Sequence, residues 1–205
     1  MSKKTLMPLL LLTALIVGCS DSPSASTGAP AVPAAQMAPP LKVTGVISAM
    51  GSTGPQTVML QAEATTLTTD AEIAQLKGIL ANKGQTEAVN TMYAWSDTNQ
   101  KGWVRIGPSL GYPIAVIRSK TLANGGRQLA FVSSRPISFA GAYAGVASTN
   151  YPIGIVMFTV GADGKGEGKI YGAIQATVKD GEFDLSSYSG GQPQLVTNVL
   201  LTSGK

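Results

Sequence analysis

Val58-Met59-Leu60-Gln61-Ala62-Glu63-Ala64 is followed closely by Thr69-Asp70-Ala71-Glu72-Ile73-Ala74-Gln75-Leu76, and the change of period between the two decides the fold. In the first stretch Val58, Leu60, Ala62 and Ala64 alternate with Met59, Gln61 and Glu63, the period-two pattern of a strand with one buried face. In the second, Ile73, Leu76, Ile79 and Leu80 return on one side of a helix. Thr69 and Glu72 have the spacing of a capping box, in which a hydroxyl and a carboxylate satisfy orphan amides reciprocally, and Gly84 supplies a stop. Gln85 to Ala94, with Val89, Met92 and Tyr93, reads as a second short helix. The two form a helical hairpin near residues 69–94, expected to lie on a sheet through its apolar stripe.

Strand patterns flank this hairpin on both sides. Leu41 to Met50 pairs with Gln56 to Leu67 across the turn-rich Gly51-Ser52-Thr53-Gly54-Pro55. Further strands are expected over Gly102 to Gly107, Pro113 to Lys120, Arg127 to Ser134, Pro152 to Val160, Gly168 to Lys179, Glu182 to Tyr188 and Pro193 to Thr202. Asn124-Gly125-Gly126 and Asp180-Gly181 suit tight hairpins, and Ala162-Asp163-Gly164 a slightly longer one. About nine short strands predict a mainly β domain over residues 41–205, an antiparallel sandwich or an open barrel with the hairpin as an insertion.

The amino terminus carries a different signal. Lys3 and Lys4 precede an uncharged run from Thr5 to Gly18, too short to span a bilayer and the right length for the apolar part of a signal peptide. It ends in Ile16-Val17-Gly18-Cys19, which resembles the lipobox of bacterial lipoproteins. That resemblance implies a signal peptide over residues 1–18, a diacylglyceryl group on the Cys19 thiol, and an often acylated (palmitate-type) new amine. The alternative is an ordinary secretory signal with a chance cysteine. Two or three acyl chains would make a stable anchor. Residues 19–40 then form a lipidated cysteine and a Pro/Ala/Ser-rich spacer with prolines at 23, 30, 33, 39 and 40. This places the protein at the bacterial cell envelope, partnered with a membrane through its lipid. In a Gram-negative cell, Ser20 after the cysteine resembles an outer-membrane sorting signal, the protein then facing the periplasm or the surface.

Composition narrows the chemistry. The 205 residues include no histidine and one cysteine. Imidazole-based triads, thiolate or imidazole zinc sites and disulfide frameworks are therefore excluded within this chain. No cofactor or metal is expected: Asp163-Gly164-Lys165-Gly166-Glu167 has alternating acids, but Lys165 sits where a calcium loop needs an oxygen ligand. Without Lys3 and Lys4, the 15 basic residues fall to 13 against 11 acidic ones. That balance gives no reason to expect nucleic-acid binding. Carboxylates are the remaining acid–base groups, and most fall at caps and turns. Arg105, Arg118, Arg127 and Arg135 stand at or near strand positions. If Arg105, Arg118 and Arg135 converge on one face, they would suit an anionic glycan, peptide or lipid head group.

The order of short segments from about Thr68 to Val199 resembles a family of bacterial exported proteins of unknown function. The segments are Thr69-Asp70-Ala71-Glu72, Gly102-Trp103-Val104-Arg105, Leu110-Gly111-Tyr112, Gly125-Gly126-Arg127, Arg135-Pro136-Ile137, Tyr151-Pro152, Gly166-Glu167-Gly168-Lys169 and Gln192-Pro193. Members often have aspartate where Asn150 stands and a second aromatic after the position of Phe139. The resemblance implies no catalytic residue. The expected function is a lipid-anchored, non-enzymatic binding or structural module with a glycan, peptide or protein partner in the envelope. Two alternatives stay open, a β-barrel carrier of a small apolar ligand and a carboxylate-dependent glycan hydrolase. Detergent-phase partitioning tests the anchor: the native protein is expected in the detergent phase and Cys19→Ser in the aqueous phase, and equal partitioning of both would remove the lipid from the account.

Overall fold

The computed structural model describes residues 33–51, 54–138, 150–188 and 193–204; the signal peptide, Cys19, the spacer up to residue 32 and Phe139 lie outside the described residues. After a short 3-10 turn at Ala34–Gln36 come β1 (Leu41–Gly51), β2 (Gly54–Ala64), α1 (Asp70–Lys83), α2 (Gln85–Thr98), β3 (Gly102–Ile106), β4 (Tyr112–Ile114) and β5 (Val116–Thr121). They are followed by β6 (Arg127–Ser133), β7 (Ile153–Val160), β8 (Lys165–Lys179), β9 (Glu182–Ser187) and β10 (Gln194–Ser203). The sheet is antiparallel, in the order β4-β3-β2-β1-β10-β8-β7-β6-β5, with β9 on the far half of β8.

The stretch expected as one strand from Pro113 to Lys120 is two. Its first half pairs with β3 and its second with β6, and only Ala115 separates them. The two ends of the sheet are thus consecutive pieces of one chain, and the sheet curls into a nearly closed barrel with eight strand positions around it. An interior of that size is just wide enough for side chains. Leu41, Val43, Leu60, Ala62, Leu129 and Ile170 from alternating positions fill it, with Phe131 and Phe158 edge to face at its centre, ring centroids 5.6 Å apart.

Two bulges adjust the alternation. In β10, Asn198 and Val199 lie opposite the single Gly45 of β1; Asn198 takes a φ of 51°, and both Val196 and Val199 point inward. In β8, an extra residue near Gly172 and Ala173 puts both Tyr171 and Ile174 on the outer face. That outer face, with Val116, Val132, Ile153 and Ile155, is covered by the hairpin through Leu76, Leu80, Ala88 and Met92. β7 is consequently buried on both sides along most of its length. The capping box at Thr69 and Glu72 forms as the spacing requires, and Gly84, at φ 83°, joins the helices.

The hairpin is rooted in the gap beside Ala115. Thr68 pairs with Ile117 like a one-residue strand, its N–H donating to the Ile117 carbonyl (2.9 Å) and its Oγ1 accepting from the Ile117 N–H (2.8 Å). Lys101 closes the other root: its carbonyl accepts from the Thr65 and Thr66 amides, its N–H donates to Ile114, and its buried Nζ reaches Glu72 Oε1 at 2.8 Å. At one end of the barrel, part of the expected spacer is folded. Ala34 is fully buried and bonded to Ala162, Ala35 donates to Gly125, and buried Arg127 donates to the carbonyls of Ala35 and Met37. Burial pushes the Arg127 guanidinium pKa down. The folded unit therefore starts by Pro33 and not at Leu41.

Lys101→Met is expected to lower stability by about 1–3 kcal/mol, since it leaves the partly buried Glu72 carboxylate without its charged donor. The hydrogen bond from Lys101, then that from the Thr69 amide, holds the Glu72 carboxyl below its ordinary 4.5. A depressed folded-state pKa stabilises fully above pH 4.5 and less as pH falls through the lowered value. Denaturant titrations across pH should therefore show a shallower acid limb in the variant; identical limbs would contradict the pairing.

Candidate functional site

The hairpin is fastened to the barrel mainly around its margin. Besides the roots at Thr68 and Lys101, Lys77 on α1 donates to the Gly181 carbonyl and pairs with Glu182 at 3.4 Å, sitting 5.8 Å from the Phe183 ring centroid. At the start of α2, Gln85 accepts from the Ala176 N–H (2.7 Å) and donates to the Asn150 carbonyl (3.1 Å). Ala176 lies beyond the stretch of β8 that β7 pairs, so its amide has no β7 partner and a side chain supplies the acceptor.

Inside this polar margin the apolar layer is incompletely filled. A partly enclosed crevice of about 180 Å³ lies between the hairpin and the outer face of the sheet. Leu76, Leu80, Ala88 and Met92 form its helical wall, Val116, Val132, Ile153 and Ile155 its floor, and Phe183 and Leu185 of β9 one side. An adjoining hollow of about 280 Å³ continues past Ile155 and Leu185 to Met157 and Tyr171. Close-packed interiors leave few voids larger than a water molecule, and an engineered apolar cavity of about 150 Å³ stays dry and binds benzene. The crevice is similar in volume and apolar in lining but partly open, and its apolar residues read individually as ordinary core.

The three arginines have separate partners on separate elements. Arg118 lines the crevice; its Nη1 donates to the Thr68 carbonyl (2.8 Å) and its Nη2 to Asp70 Oδ1 (2.6 Å). Arg135 stacks over Tyr93 of α2, 5.6 Å from the ring centroid. Arg105 stacks on its strand neighbour Trp103 at 5.4 Å, beside a polar hollow on β1, β2 and β3 with Lys42, Gln61 and Glu63. That stacking covers one face of the indole. Cys19 lies outside the described residues.

The carboxylates sit largely where local bonding holds them. Asp70 and Glu72 open α1, Asp163 accepts from the Lys165 amide in the β7–β8 turn, and Asp180 takes a φ of 52° in the β8–β9 turn. Glu72 has a lowered pKa, the opposite of what a general acid needs. The Gly164-Lys165-Gly166 run serves packing: a Cβ on Gly166 would lie 1.9 Å from the Thr159 carbonyl oxygen. Among the described residues no three carboxylates or thiols gather around a point that would hold a metal ion. No family model, curated protein or solved structure matches the chain.

Arg118 and Asp70 have side chains 43% and 92% exposed, so solvent screens their attraction. Asp70→Asn is accordingly expected to cost less than about 1 kcal/mol in equilibrium unfolding. A loss of several kcal/mol would mean that the pair is structural and not exchangeable.

Proposed function

We propose that the protein is a lipid-anchored binding module of the bacterial cell envelope that holds a small apolar ligand between its helical hairpin and its barrel. The observation that carries this reading is the contrast between two spaces. The barrel interior is packed with side chains, whereas the crevice outside it is open and lined by apolar surface. Pockets that bind small molecules are predominantly apolar, with a few placed polar groups, and this one has Arg118 at its border. The carrier role expected of a barrel thus moves to its outer wall.

The lipobox Ile16-Val17-Gly18-Cys19 and the charged start of the chain support the anchor. The chain enters the folded unit at Pro33, next to Gly125 and Ala162. Val132 and Ile153, at the opposite ends of β6 and β7, border the crevice. Binding is favoured over catalysis because the chain lacks imidazole, and Asp70, Glu72 and Asp163 are engaged in the cap of α1 and the β7–β8 turn.

Filling the crevice tests the reading. Mass spectrometry of the gently purified protein is expected to find a bound small apolar molecule, absent from Ala88→Leu and Ala176→Leu, which add bulk from the helical and the sheet wall. Both variants should keep the native melting temperature or raise it, because cavity filling commonly adds about 0.5–2 kcal/mol. An equal load of ligand in the filled variants would place the ligand elsewhere and overturn the proposal.

A further inference from the structure

The class of molecule the crevice takes is written in the one charged side chain of its lining. Of the thirteen lining residues, Arg118 alone carries a charge. The same guanidinium borders a second, solvent-facing hollow of about 260 Å³ with Ser119, Lys120, Gln128 and Ala130. It therefore stands between an apolar space and a polar one that holds another cation. Resting on the reading of the crevice as a ligand site, we propose that it takes the alkyl chain of an aliphatic carboxylate, whose head group binds Arg118 in place of Asp70.

The geometry supplies each requirement. The bond to the Thr68 carbonyl holds the guanidinium in position independently of Asp70. The two protein bonds use two of the five donors of its planar fork, a shape matched to a carboxylate. Asp70 itself is almost wholly exposed and sits in the first turn of α1, where the helix amides still favour its charge after release. Ala130 is the cross-strand partner of Arg118, and its small side chain leaves room beside the guanidinium for a head group. Lys77, which sits over the Phe183 ring and is not part of the lining, is already engaged by Glu182 and the Gly181 carbonyl. Since a cavity of about 150 Å³ accommodates the six carbons of benzene, a space of about 180 Å³ suits a chain of roughly six to eight carbons. Each methylene buried there adds about fourfold to affinity. A neutral chain gains that term alone, while a carboxylate gains a charge-assisted bond as well.

The test uses the full lipidated chain in phosphatidylcholine nanodiscs, with diazirine-bearing octanoate and diazirine-bearing octanol as photoprobes and mass spectrometric mapping of the labelled peptides. Both probes are expected to label the segments around Leu76, Met92 and Leu185, with octanoate favoured about tenfold, the value of one charge-assisted bond. Arg118→Gln should erase that preference and leave octanol labelling unchanged. Asp70→Asn should raise octanoate labelling about threefold by removing the competing carboxylate. If Arg118→Gln fails to fold, Arg118→Lys, which keeps charge but not the fork, should still reduce the preference. Equal labelling by the two probes in the native chain, or a preference that survives loss of Arg118, overturns the carboxylate assignment while leaving an apolar site. Absence of crevice labelling by either probe overturns the site itself.

Discussion

The closure of the barrel by a single piece of chain is the constraint on which the other features rest. Tyr112 to Thr121 supplies both edges of the sheet, and it does so by changing neighbours at Ala115. Past that point β5 has lost its pairing with β3, so the edge at Ile117 needs another partner, and Thr68 provides it with its own amide and hydroxyl. Thr68 immediately precedes the capping box of α1, so mending the edge also fixes where the hairpin begins. Lys101, bonded to Ile114, Thr65, Thr66 and Glu72, fixes where it ends.

A ligand site outside the barrel follows from this arrangement. A barrel of eight strand positions can hold one small ligand or be filled by side chains, and here buried side chains, Phe131 and Phe158 among them, occupy the interior. The hairpin adds a second apolar layer over β5 to β9, but its fastenings are polar and peripheral. Lys77, Gln85, Glu72 and Asp70 hold the rim, while the centre relies on Leu76, Leu80, Ala88 and Met92 meeting a floor they do not fill. Each residue there is buried well enough to be stable, and the shortfall is collected in one place.

Local pattern made much of this fold legible. The alternation of Val58, Leu60, Ala62 and Ala64 appears as inward-facing positions of β2, and the stripe from Ile73 to Leu80 packs on the sheet. The capping box and the turns at Asn124 and Asp180 also follow from residues adjacent in sequence. What depended on distant partners was not legible. Nothing local in Pro113 to Lys120 reports that its halves pair with different strands. Lys101 follows Asn99-Gln100 like a surface loop residue, yet is buried because three other chain segments, at Thr65–Thr66, Glu72 and Ile114, converge on it. Pro33 to Pro40 has spacer composition, yet Ala34 and Met37 find a place under Arg127. Arg118 is recognisable as a candidate from its residue type alone, but its partners lie 48 and 50 positions away. The crevice is a matter of volume, and no periodicity encodes an unfilled volume.

The central claim is that the functional space lies between the hairpin and the outer wall of the barrel and not inside it. A crystal structure of the protein pressurised with xenon, which enters apolar cavities without demanding any particular chemistry, measures this directly. The account predicts xenon among Leu76, Met92, Ile155 and Ala176, and none among Phe131, Phe158 and Leu129. Xenon inside the barrel, or a crevice collapsed and empty beneath the hairpin, would contradict it.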